Sequence, residues 1–134
     1  MPGTGSALAG GTAPGGGGMV TASSAPAVTR SDFTAGLPIG PFDGVLAANS
    51  LHFVDRVVPV LTAIHAALRP GGTLVVVEYD ADHGNPWVPH PISFARLGAH
   101  LRGAGFAEPE LLHRVPSRFL GAIYGAGSRR PGVA

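Results

Sequence analysis

FDGVLAANSLHF, residues 42–53, is apolar from Val45 to Ala48 and then breaks into Asn49, Ser50 and His52. The turn-forming Gly40-Pro41-Phe42-Asp43-Gly44 precedes it, which predicts a short buried strand. A buried strand that stops in polar residues ends at a surface where something is bound or done. The neighbouring sequence decides what kind of sheet holds it.

Downstream, Asp55 can cap a helix, Pro59 suits its first turn, and Val57, Leu61, Ile64 and Leu68 form one apolar stripe. Arg69-Pro70-Gly71-Gly72 stops that helix, because the residue before Pro avoids helical angles and Gly supplies a C-cap. Thr73 to Tyr79 is the strongest strand signal, and its unbroken apolar run suits a parallel strand covered on both faces. Residues 80–91, DADHGNPWVPHP, are a loop, and Pro91 suits the first position of a helix carrying Phe94, Leu97 and Leu101 on one face. Glu110–Val115 and Arg118–Tyr124 read as two strands of a hairpin joined by Pro116-Ser117. Strand–helix–strand–helix–strand–strand implies an α/β fold with an open, mostly parallel sheet and an antiparallel strand at its end.

Upstream the chain changes character. Gly, Ala, Ser, Thr and Pro dominate residues 1–28, which show no apolar period and no aromatic residue. Such a stretch cannot bury enough surface to offset roughly 1–2 kcal/mol per residue of backbone entropy. A flexible tail over 1–28 and a domain over 29–134 are therefore expected.

Composition narrows the function classes. With 134 residues there is room for one domain. The absence of Cys removes disulfides and Cys-based zinc sites. A net charge of +1 without a basic cluster gives no nucleic-acid footprint. No apolar run approaches the roughly 18 residues of a membrane span, and no secretory signal precedes Arg30, so a cytoplasmic protein is expected.

TRSDFTAGLP (29–38), FDGVLAANSLHFV (42–54), ALRPGGTLVVVEYD (67–80), GAGF (103–106) and SRFLGAIYGA (117–126) follow one another in an order that resembles class I S-adenosylmethionine-dependent methyltransferases. The resemblance covers roughly residues 29–127 and corresponds to the C-terminal half of that family's Rossmann-like sheet. It implies a partial Rossmann-like fold, S-adenosylmethionine as cofactor and methyl transfer to a small-molecule acceptor. Asp32 then corresponds to the acid that bonds the adenine amino group, with Phe33 beside the ring. Ala48, Asn49 and Ser50 correspond to the strand end that lies against the methionine part. Tyr79, Trp87 and His90 border the acceptor. No residue is assigned as a catalytic base or a metal ligand.

The family's Gly-rich turn and ribose-binding acid have no counterpart ahead of Asp32. At roughly 1.5–3 kcal/mol per hydrogen bond to a charged partner, that absence should cost at least ~4 kcal/mol of cofactor affinity, about a thousandfold. The chain is expected to be truncated, to bind cofactor weakly if at all, and to leave the 45–48 strand as an open edge. Self-association or a partner chain is expected at that edge. Two other readings remain: a non-catalytic remnant that pairs with another chain, and a metal-binding protein that uses Asp80, Asp82, His83 and His90 of the 80–91 loop.

Overall fold

The computed structural model describes residues 40–132, together with the backbone of residues 8–10, 19–24 and 27–32. The elements are strands β1 (Leu8–Gly10), β2 (Met19–Ser24), β3 (Ala27–Asp32) and β4 (Phe42–Ala48), helix α1 (Val57–Ala67), strand β5 (Leu68–Tyr79), helix α2 (Phe94–Gly103), and strands β6 (Glu110–Pro116) and β7 (Ala122–Arg129). They form one sheet in the order β3-β2-β1-β4-β5-β7-β6.

The pairing that decides the architecture is parallel, Val45 with Leu74 through Ala48 with Val77. β7 then runs antiparallel along the other side of β5, and β6 closes the hairpin against β7. The α/β reading with an antiparallel C-terminal strand therefore holds.

Along each strand the side chains alternate between two faces. Val45 and Ala47, Leu74 and Val76, and Tyr124 and Ala126 form one buried row. Leu61 and Ile64 of α1 and Leu97 and Leu101 of α2, all essentially unexposed, complete that core. The opposite face differs from the expected double cover. Val75, Val77 and Ile123 are only half-buried there, because both described helices pack on the other side.

Helix ends also depart from the local reading. α1 begins after Arg56, without a side-chain cap from Asp55. It ends at Ala67, with Leu68 already extended. The expected Gly cap is replaced by a tertiary one: Arg130 donates to the carbonyls of His65, at 3.0 Å, and Leu68. Gly71, at φ 81°, bends the start of β5 instead. α2 starts three residues beyond Pro91. Ser93 Oγ accepts from Arg96 N at 3.3 Å, and Asp80 Oδ1 accepts from Phe94 N at 3.0 Å. Two such acceptors satisfy amides that a helix start leaves orphaned. In the hairpin, residues 118–121 form the turn and the second strand runs on to Arg129. Ser117 Oγ accepts from Phe119 N, and Gly121 takes φ 50°.

β1 and β2 fall in the stretch expected to be a tail. β1 runs parallel to β4, Leu8 with Leu46 and Ala9 with Ala47. β2 also pairs with β4, antiparallel, through Thr21 and Ala22. The outer side of β4 is therefore paired within the chain, a correction to the expected open edge. The physical reason is that a buried strand's N–H and C=O groups require partners, and backbone pairing needs no side-chain pattern.

Tyr124 ties sheet to loop. It is fully buried, packs edge-on against Phe94 at 5.7 Å, and donates to Ile92 O at 2.6 Å. Burial, then the nearby Glu78 and Asp80 charges, push its phenol well above its ordinary range. The folded chain thus keeps a proton that the unfolded chain loses near pH ~10, so stability is lost as pH rises past that point. Urea midpoints are expected to fall in that window. Tyr124→Phe should flatten the fall, at a cost of about 1 kcal/mol near neutrality.

Candidate functional site

The carboxyl ends of β4 and β5 lie side by side, the position at which open α/β sheets bind ligands. β4 ends in Asn49, which sits in the left-handed region at φ 53° and donates N–H to Val77 O at 2.9 Å. Its Oδ1 is buried and has no partner among the described residues. Ala48, just before it, is half-buried. Ser50 is fully buried, and its hydroxyl is spent on Ala48 O at 3.2 Å.

β3 runs in the same direction as β4, because two antiparallel pairings separate β3 from β1, which is parallel to β4. Asp32 pairs with Met19, and Met19 with Gly10, one residue past the Ala9–Ala47 pair. Asp32 therefore ends β3 in the backbone row that passes Ala48. Phe33 lies outside the described residues.

Next to Asn49 the chain makes a single 3-10 turn over Leu51–Phe53. A residue passed over in the sequence reading holds this turn. Glu78, wholly unexposed, accepts Leu51 N at 2.8 Å and His52 N at 3.3 Å on Oε2, and meets His52 Nδ1 at 2.7 Å through Oε1. A buried carboxylate needs several donors to offset desolvation, and here they all come from one turn. The available signal was an acid placed directly after an unbroken apolar run, since Glu is almost never buried unpaired.

Of the three acceptor candidates, the structure gathers two. The Tyr79 ring meets that of His52 edge-on at 5.5 Å, and His90 N donates to His52 O at 3.0 Å. Trp87 stands 64% exposed at the tip of the loop. Asn85 shapes this tip by accepting Trp87 N and Val88 N and donating to Phe119 O. Gly84 is required beneath it, since a Cβ there would run into the carbonyl oxygens of Val88 and Pro89. A cleft of about 550 Å³ opens between the loop and the helix starts, with Asp55, Arg56, Asp82, His90, Arg96 and His100 on its walls.

Asp80 is engaged by Phe94 N and Arg114, and Asp82 lies 3.4 Å from Arg96. Among the described residues, no three His, Asp or Glu side chains converge as metal ligands. No helix among them is long and apolar enough to cross a membrane.

The family described as methyltransferase domain matches residues 18–76. A 110-residue alignment with the hybrid PKS-NRPS synthetase prlS of a fungal species (strain NRRL 50135) is 28% identical, covering 64% of this chain and 3% of that protein. Among solved structures, a SAM-dependent methyltransferase from Thermotoga maritima superposes with a TM-score of 0.57 at 20% identity, over 70% of this chain and 59% of its own. The Burkholderia thailandensis 1,6-didemethyltoxoflavin-N1-methyltransferase, solved with 1,6-didemethyltoxoflavin and S-adenosylhomocysteine, superposes with a TM-score of 0.56 at 25% identity, over 71% of this chain and 46% of its own. The chain thus spans about half the length of these two structures.

Proposed function

Because the chain carries part of a class I S-adenosylmethionine-dependent methyltransferase domain, we propose that it binds S-adenosylmethionine along the carboxyl edge of its sheet and presents a small-molecule acceptor to it. The cofactor supplies an electrophilic methyl group on a sulfonium. The chain's own residues bind and orient.

In this reading Asp32 accepts from the adenine amino group, and Phe33 lies beside the ring. Ala48 and Asn49 border the methionine end, with Ser50 holding their turn from below. Tyr79, Trp87 and His90 bound the acceptor side. The setting is cytoplasmic. Support comes first from Asn49, whose buried oxygen has no partner among the described residues at a strand end where a ligand donor would satisfy it. The backbone row linking Asp32 to Ala48 adds to it, because one extended ligand could span both. Methyl transfer to a good nucleophile needs chiefly the positioning of two reactants.

Calorimetric titration with S-adenosylhomocysteine tests the reading. A saturable isotherm is expected. No heat at millimolar ligand would overturn it and favour a non-catalytic module that pairs with another chain.

A further inference from the structure

We infer that the cleft between the loop after β5 and the starts of α1 and α2 binds a zwitterionic acceptor, an α-amino acid with an apolar side chain, through Arg56 and Asp55. The inference rests on the methyl-transfer reading and names its acceptor class. At about 550 Å³ the cleft has the size of a small-molecule site. It is lined by residues 54–59, where the chain leaves the turn after β4, and by residues 89–92, where the loop after β5 returns to α2. Both segments follow the carboxyl ends of the two parallel strands, so the cleft borders the edge proposed for the cofactor. Val57, Pro59 and Ile92 give it apolar walls.

The charges on its walls decide the ligand. On the side made by the loop and α2, Arg96 faces Asp82 at 3.4 Å, so these two neutralise each other. On the α1 side, Asp55 and Arg56 enter no ion pair among the described residues. Arg56 is extended, at φ −122° and ψ 95°, a backbone that turns successive side chains to opposite sides. One free cation and one free anion therefore stand apart beside an apolar interior. A lone anion would meet Asp55, a lone cation would meet Arg56, and a neutral apolar molecule would leave both without a partner. A zwitterion serves both. Its carboxylate accepts from the Arg56 guanidinium, its ammonium donates to Asp55, and its side chain covers the apolar walls. The loop wall is already fixed, since His90 N donates to His52 O at 3.0 Å and Asp80 Oδ1 accepts from Phe94 N at 3.0 Å. A preformed wall spares the ligand the cost of ordering it.

The test is an NMR titration of isotope-labelled full chain, with and without saturating S-adenosylhomocysteine. Three ligands share one body: phenylalanine, phenethylamine, which lacks the carboxylate, and hydrocinnamate, which lacks the ammonium. The Val57, Val58 and Ile92 amide resonances should move with phenylalanine. Its affinity should exceed that of either analogue by about fivefold, the upper end for an exposed ion pair. Arg56→Gln should weaken phenylalanine and hydrocinnamate by that factor and leave phenethylamine unchanged. Asp55→Asn should weaken phenylalanine and phenethylamine and leave hydrocinnamate unchanged. An analogue that binds as tightly as phenylalanine, a variant that weakens all three alike, or no response to phenylalanine would overturn the assignment and leave the methyl-transfer reading intact. So would displacement of phenylalanine by S-adenosylhomocysteine, which carries an amino-acid end of its own. If S-adenosylhomocysteine does not bind while the three ligands and both variants behave as expected, the methyl-transfer reading falls and the cleft stands as an amino-acid site.

Discussion

Glu78→Ala is expected to lower the unfolding free energy by about 3–5 kcal/mol, the usual cost of removing one partner from a buried polar pair. Three donors lose their acceptor at once: the amides of Leu51 and His52, and His52 Nδ1. The side chain is wholly unexposed, so bulk water does not reach these donors in the folded chain. Against a typical net stability of ~5–15 kcal/mol, this is a large fraction. A urea titration followed by far-ultraviolet circular dichroism should show the midpoint fall with little change in slope. Glu78→Gln should recover much of the loss, because its amide oxygen can still accept from the turn. A loss under ~1 kcal/mol for the alanine variant would mean that the turn after β4 is held by something else.

The same contact shows where local reading stops. The parallel pair β4–β5 was legible, because Val45–Ala48 and Thr73–Tyr79 are apolar runs of strand length flanked by Gly and Pro. So was the Leu61 and Ile64 stripe of α1, since helical spacing is a local property. Glu78 and His52 are 26 residues apart, and no periodicity links them. The helix caps failed for the same reason. Asp80 reaches α2 from the preceding loop, and Arg130 reaches the end of α1 from beyond the last strand. β1 and β2 were illegible for a different reason. Their residues carry no alternation, and the demand for pairing comes from the unpaired side of β4 rather than from their own side chains. At the site, the resemblance named Tyr79 and His90, which the fold brings to His52, but it could not tell that Ser50 is buried.

Asn49→Gly is expected to move stability and ligand affinity in opposite directions. Asn tolerates φ 53° better than most residues, but Gly takes it at no steric cost. The substitution also deletes a buried oxygen that has no partner among the described residues, and a buried unsatisfied polar atom costs about 1–3 kcal/mol. Entropy gained by the unfolded chain takes back ~0.5–1 kcal/mol, so the variant should be as stable as wild type or slightly more so. A ligand donor that pairs with that oxygen would contribute roughly 1.5–3 kcal/mol if charged. S-adenosylhomocysteine should therefore bind Asn49→Gly at least about tenfold more weakly. Melting curves and calorimetric isotherms on the same samples separate the two effects. If affinity is unchanged while the melting temperature rises, Asn49 is a strained turn residue and the cofactor's methionine end lies elsewhere. If both fall together, the amide is holding the strand end through contacts of its own, and the loss of binding follows from loss of structure.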